Sequence, residues 1–251
     1  MDWRAIQQAV LPVWTGLAGV VFVALFFVPA PYGRYAGRAL GPRIAARAGW
    51  VLMEAPAALV FAGWWLASAH RAEPASLAFL VLWLAHYVDR AFLYPLRTPA
   101  GAHRMPLAVA ALGVLFNLVN ASLNGGWLFE LSGGYPDSWL ADPRFLAGAA
   151  LFATGWIVNR RADAELTRLR AAGSYGIPRG GLYRWVSCPN YLGEIVIWSG
   201  WALLTWSRAG FAFALWSVAN LAPRARRHHR WYRERFPEYP AERRALLPWI
   251  W

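Results

Sequence analysis

The chain has no lysine and a single cysteine, and only 15% of its 251 residues are charged. One cysteine, Cys188, excludes a disulfide scaffold. Sparse charge against 58% apolar residues excludes intrinsic disorder and is low for a soluble domain. Neither G-x-G-x-x-G nor G-x-x-x-x-G-K-[ST] occurs, so a dinucleotide, if bound, is not held by a Rossmann domain. No repeat or low-complexity linker breaks the chain, which reads as a single domain over residues 1–251. What is abundant is tryptophan, with 17 residues, and arginine, which supplies all 25 basic groups and a net charge of +12. Tryptophan suits membrane interfaces. A charge of that size raises nucleic acid as a partner, so its placement has to decide.

Seven apolar segments stand out, at residues 10–31, 50–69, 74–96, 106–129, 145–159, 191–206 and 209–223. The first four reach the ~20 residues that a spanning helix needs. The last three are shorter and span only if their helices continue into polar ends. The arginines test this reading independently. The connections after segments 1, 3 and 5 and the tail after segment 7, together with Arg90 at the end of segment 3, hold 21 of the 25. That is the positive-inside pattern of an all-α protein with seven transmembrane helices, its N-terminus outside and its C-terminus cytoplasmic. Most of the positive charge is then topological, and nucleic acid drops out as a partner. Residues 1–8 carry Asp2 as well as Arg4, and the following apolar run exceeds a signal-peptide core, so segment 1 reads as a retained helix.

Ionisable groups within spans are costly and by default mark function. Glu54 lies early in segment 2; Tyr87, Asp89 and Arg90 lie late in segment 3; Asn117, Asn120 and Asn124 punctuate segment 4; Asn190 and Glu194 open segment 6. Spacings of three, four and seven make further stripes of Tyr87, Arg90 and Tyr94, of Asn159, Asp163 and Arg170, and of Arg224, His228 and Tyr232. Alternating helix direction puts the start of segments 2 and 6 and the end of segments 3, 5 and 7 at one level, so their polar residues predict a shared cavity open to the cytoplasm. Arginine forks beside Asn, Tyr and His suit a phosphorylated, sugar-bearing ligand. Gly180-Gly181 reads as a turn rather than a phosphate loop. His228 and His229 are adjacent and point about 100° apart on a helix, with no further ligand at metal spacing, so no metal is expected.

The assembled residues resemble the steroid 5α-reductase (3-oxo-5α-steroid 4-dehydrogenase) family. The resemblance runs through Glu54-Ala-Pro, His86-Tyr-Val-Asp-Arg-Ala-Phe-Leu-Tyr-Pro-Leu, Tyr135-Pro-Asp-Ser-Trp and Tyr175-Gly-Ile-Pro-Arg-Gly-Gly-Leu-Tyr-Arg-Trp-Val-Ser. It continues through Asn190-Tyr-Leu-Gly-Glu, His228-His-Arg-Trp-Tyr, Glu238-Tyr-Pro and Pro248-Trp-Ile. It implies seven helices, NADPH as hydride donor, and a Δ4-3-ketosteroid or related lipid enone as acceptor. It also implies roles. Glu54 and Tyr87 match the catalytic pair that holds the steroid 3-keto oxygen, and Trp50 matches an aromatic beside the steroid. Tyr32, Asn159, Asp163, Arg170, Tyr175, Asn190, Glu194, Arg224, His228 and Tyr232 match positions around NADPH, with Arg97 or Arg104 approaching its phosphates. Cys188 then reads as a small residue packed near the cofactor. The abundance of Arg favours the extra phosphate of NADPH over NADH.

Departures from the family pattern are Met53 where animal enzymes usually carry Gln, Cys188-Pro189 in place of a Gly-Ala pair, and a longer loop over residues 97–104. The all-Arg, Trp-rich composition points to a bacterial chain, placed in the inner membrane with its cofactor side facing the cytoplasm. Lipid bilayer and steroid are the expected partners; no obligate protein partner is evident. Two other readings compete. An S-adenosylmethionine-dependent membrane methyltransferase of the isoprenylcysteine or phospholipid type would share the Pro-Asn-Tyr-x-Gly run but gives no reason for Glu54 with Tyr87. A non-catalytic sterol-binding membrane protein explains a cavity but not the agreement over residues 86–96.

Overall fold

The computed structural model describes residues 2–28, 41–97, 104–171 and 176–251. Helices dominate: α1 (Trp3–Phe27), α2 (Ala46–Ala67), α3 (Pro74–Val88), α4 (Tyr94–Arg97), α5 (Leu107–Gly126), α6 (Pro143–Ala171), α7 (Pro189–Thr205) and α8 (Arg208–Arg235). A π-helical turn, Asp89–Leu93, joins α3 to α4, so one rod runs over Pro74–Arg97. A second π turn, Trp127–Leu131, extends α5. Among the described residues, four helical rods are long and apolar enough to cross a membrane: Trp3–Phe27, Ala46–Ala67, Pro74–Arg97 and Leu107–Leu131.

The three shorter apolar segments fall in α6, α7 and α8, with Trp206 just past the end of α7. α6 and α8 run 29 and 28 residues and carry polar, arginine-rich ends. One feature departs from a purely helical reading. Arg43–Ala45 (β1) pairs antiparallel with Arg104–Pro106 (β2), with Ile44 opposite Met105, and Arg104 Nη2 donates to the Arg43 carbonyl at 2.8 Å. Both strands have three residues, too short for periodicity to show.

Contacts divide the chain into two compact units. The first comprises Met1–Val13, Ala30–Leu146 and Ser207–Ala209. Its core is aromatic. Phe61 stacks on Trp83 at 4.3 Å, and Trp83 donates its indole N–H to the Ala57 carbonyl at 2.9 Å. α5 lies close on α2 because Gly113 offers no side chain: a β-carbon there would meet that of Met53 at 2.7 Å. The π turn at Trp127–Leu131 disturbs the regular carbonyl ladder. Ser68 Oγ donates to the Phe129 carbonyl at 2.6 Å, satisfying a group in that turn.

The second unit comprises Trp14–Pro29, Ala147–Trp206 and Gly210–Trp251. Its α6–α7 contact is glycine on backbone. β-Carbons on Gly148 and Gly155 would lie 2.5 and 2.6 Å from backbone atoms of α7, and those on Gly193 and Gly200 would lie 2.6 Å from backbone atoms of α6. Glycines seven apart on both antiparallel helices thus form one small-residue seam, the packing that membrane helices favour. The start of α6 is set locally: Asp142 Oδ1 accepts the Arg144 backbone N–H at 2.8 Å, and Pro143 takes the first helical position. α7 ends at Trp206, whose φ of 45° is left-handed, and α8 begins two residues later. The C-terminal segment closes on the loop before α7 through Ser187 N–H to the Arg244 carbonyl and Arg244 N–H to the Trp185 carbonyl, both 2.9 Å.

Candidate functional site

In the first unit three helices bring polar groups together. Asn117, on α5 and 5% exposed, donates from Nδ2 to the Met53 carbonyl at 2.6 Å and to Glu54 Oε2 at 3.2 Å. Tyr87, on α3 and 3% exposed, donates its hydroxyl to Asn117 Oδ1 at 3.4 Å. Glu54 and Tyr87 therefore converge on one amide. The tyrosine ring is held between Trp83 and His86, with centroids 5.0 and 5.2 Å away.

Trp50 lies one helical turn before Glu54 on α2. Its indole N–H donates to the Arg90 carbonyl at 2.7 Å, inside the π turn. The Arg90 guanidinium sits over the rings of Trp50 and Tyr94, at 5.3 and 4.8 Å. Arg97 pairs with buried Asp89 at 2.8 Å across the same turn. Arg104 is engaged in the β1–β2 ribbon, so both candidate phosphate arginines of the 97–104 loop have local protein partners.

In the second unit the α6–α7 seam aligns a second set. Asn159 Nδ2 donates to the Asn190 carbonyl at 3.0 Å and to Glu194 Oε1 at 3.2 Å. Trp198 Nε1 donates to Glu194 Oε2 at 3.2 Å, and Asn190 Nδ2 donates to Asp163 Oδ1 at 3.3 Å. On α8, Arg224 Nη2 donates to the Tyr191 hydroxyl at 3.0 Å, and the same hydroxyl lies 3.2 Å from His228 Nε2. Tyr191 thus ties together two residues of the Arg224–His228–Tyr232 stripe. Tyr232 itself stacks on Tyr239, 5.3 Å away and nearly parallel.

α6 stays helical to Ala171, which carries Asp163 and exposed Arg170 on one rod. Both act electrostatically on Tyr183, whose hydroxyl donates to the Ala162 carbonyl at 3.4 Å. Burial first, then Asp163, Cys188 and Tyr232, pushes the Tyr183 phenol well above its ordinary range, with Arg170 opposing. The Gly180-Gly181 turn is held from α6. Glu165 pairs with Arg168 at 3.0 Å and accepts backbone N–H groups of Arg179 and Gly180. Its carboxyl is held below the usual range, chiefly by Arg168. Tyr32 and Tyr175 lie outside the described residues.

Two residues of these clusters escaped assignment from sequence. Asn117 was visible as a polar residue in an apolar span, a signal that gives no partner. Tyr191 sits between Asn190 and Glu194 but off their helical face, so spacing does not select it. Among the described residues, no three His, Cys, Asp or Glu side chains gather as a metal site.

Residues 103–251 match the family model described as 3-oxo-5-alpha-steroid 4-dehydrogenase. The chain is 40% identical over 247 residues to the steroid 5-alpha-reductase of Gossypium hirsutum, covering 96% of this chain and 93% of that one. It is 37% identical over 256 residues to 3-oxo-5-alpha-steroid 4-dehydrogenase 1 of Bos taurus, covering 98% of each. It is 39% identical over 223 residues to the Homo sapiens protein of the same name, covering 87% and 85%. The chain belongs to the 3-oxo-5-alpha-steroid 4-dehydrogenase, or steroid 5-alpha-reductase, family of enzymes.

Proposed function

We propose that this protein reduces the Δ4 double bond of 3-ketosteroids, or of a related lipid enone, to the 5α product with NADPH as donor. The observation that carries this reading is the convergence of Glu54 and Tyr87 on one buried amide, in a chain of this family. The work is divided between the two clusters: the first receives the ketone and the second holds the cofactor.

The donor set of the second cluster fits a nicotinamide dinucleotide. Arg224 with His228 and Tyr191 offers a guanidinium fork and two ring donors for phosphate oxygens. Asn159, Asp163, Asn190 and Glu194 offer amides and carboxylates for ribose hydroxyls and a carboxamide. Arg97, Arg170, Tyr232, Tyr32 and Tyr175 complete the proposed set. When bound, NADPH supplies the hydride that saturates carbon 5.

Reduction of the enone places negative charge on the 3-oxygen. Tyr87 donates a hydrogen bond to that oxygen, and Glu54 adds a second in its protonated form. Together they make a preorganised oxyanion stabiliser. Trp50, fixed by its bond to the Arg90 carbonyl, packs against the steroid. Solvent supplies the proton at carbon 4. We further propose that the last three helices also span the membrane. The protein then crosses seven times within a single functional domain, with the N-terminus outside and the arginine-rich, cofactor-holding side in the cytoplasm.

The test is a single turnover on detergent-purified protein with 4-deuterated NADPH and progesterone, read by mass spectrometry. Deuterium at carbon 5 of a 5α-reduced product is expected. Folded protein that consumes no NADPH and forms no product would overturn the reading for this substrate class, and S-adenosylmethionine binding would be measured next.

A further inference from the structure

We propose that Asn117 is a positioning residue for the Glu54–Tyr87 pair, setting their separation and the direction of their hydrogen bonds. The proposal rests on the roles given to Glu54 and Tyr87 above.

The amide has two N–H hydrogens, and both have acceptors: the Met53 carbonyl at 2.6 Å and Glu54 Oε2 at 3.2 Å. That assigns its orientation from the network, because a flipped amide would set its oxygen against two acceptors. Oδ1 can then only accept, and the Tyr87 hydroxyl donates to it. One side chain on α5 thereby holds α2 through two consecutive residues and α3 through the tyrosine.

Two chemical consequences follow. Glu54 Oε2 accepts from Asn117, so a proton on this carboxyl belongs on Oε1. The Tyr87 contact, at 3.4 Å, is long for an O–H···O bond. Exchanging it for a bond to a developing oxyanion therefore costs little. Asn117 orients the hydroxyl without trapping it.

Packing supports the same role from a different residue. Gly113 precedes Asn117 by four positions, on the same face of α5. A β-carbon there would lie 2.7 Å from that of Met53, so the glycine is what lets α5 reach α2 closely enough for the 2.6 Å bond. The backbone approach and the amide form one device.

The experiment is a double-mutant cycle on the full chain in lipid nanodiscs, with progesterone and NADPH. Turnover and NADPH affinity are measured for Asn117→Leu, Asn117→Asp, Tyr87→Phe, Glu54→Gln and the double variants with Asn117→Leu. Asn117→Asp is nearly isosteric, so a cavity is not the cause of its loss. Both Asn117 variants are expected to lower kcat about tenfold or more, with NADPH affinity within about twofold. Asn117→Leu added to Tyr87→Phe or to Glu54→Gln is expected to cost clearly less than the product of the two single effects, because part of its action passes through the residue already changed. A merely structural asparagine would give multiplying effects. Full multiplication, or kcat within twofold for both Asn117 variants, overturns the proposal. Normal turnover by Tyr87→Phe and Glu54→Gln overturns the catalytic assignment itself, and is distinguishable because it needs no Asn117 variant.

Discussion

Gly193 lies so close to Asn159 that a β-carbon on it would sit 2.6 Å from the Asn159 backbone nitrogen. That approach lets the Asn159 amide reach both the Asn190 carbonyl and Glu194. The cluster proposed to hold the cofactor is thus built on a backbone contact that leaves no room for a side chain at Gly193.

Gly193→Ala should therefore damage both stability and cofactor binding. Alanine gains about 1 kcal/mol of intrinsic helix propensity over glycine. Overpacking against backbone costs about 1–3 kcal/mol, sometimes more, so the clash wins. Gly63→Ala, where nothing lies within 4 Å, should be neutral or slightly stabilising. Thermal unfolding and NADPH titration of the two variants check the contrast. Equal behaviour would show that α6 and α7 can separate without consequence.

Tyr191→Phe removes one oxygen and almost no volume. That hydroxyl joins Arg224 to His228, so the guanidinium loses an acceptor and its orientation. NADPH affinity should fall about tenfold, the scale of one hydrogen bond to a charged group. Asn190→Ala and Arg170→Ala should likewise weaken NADPH more than steroid. Titrating cofactor and steroid separately on each variant decides it.

Tyr87→Phe and Glu54→Gln should retain NADPH binding and lose at least about 100-fold in turnover, as loss of an oxyanion donor does elsewhere. Each substitution conserves volume, so packing around Trp83 is kept. Steady-state kinetics beside NADPH titration separates the two effects. A parallel loss of cofactor affinity would contradict the division of labour.

His229 makes stability depend on pH. Ser187 Oγ donates to the Arg244 carbonyl at 3.1 Å, so His229 Nδ1 at 2.7 Å and the Tyr239 hydroxyl at 2.6 Å both donate to Ser187. Nδ1 thus carries a proton, and ionisation of the ring adds a second one at Nε2. Burial first, then Arg233, Arg244 and Arg243, lowers its pKa from 6.5. A folded state that refuses a proton which the unfolded chain accepts loses stability as pH falls below about 6.5, and none is lost above it. His229→Asn keeps an N–H near Nδ1 and cannot ionise, so its acid limb should be flatter. Thermal midpoints between pH 5 and pH 8 compare the two proteins; identical slopes would remove His229 as the cause.

Much of this molecule was determined by local pattern. Long apolar runs gave helices where they were expected, because a 20-residue apolar stretch has one stable backbone solution in lipid. The alignment of Asn159, Asp163 and Arg170 needed only that α6 continue to Ala171, and helical spacing then put them on one face. Motif spacing was enough to identify the family. Other features needed the tertiary structure. The π turn at Asp89–Leu93, which aims the Arg90 carbonyl at Trp50, inserts one residue that no 3.6-residue periodicity displays. The β1–β2 pairing joins residues about 60 positions apart, and its strands are too short to alternate visibly. Asn117 and Tyr191 acquire meaning only from partners on other helices. Which polar atoms meet was decided by how closely glycines let backbones approach, a distance in space that a one-dimensional pattern does not encode.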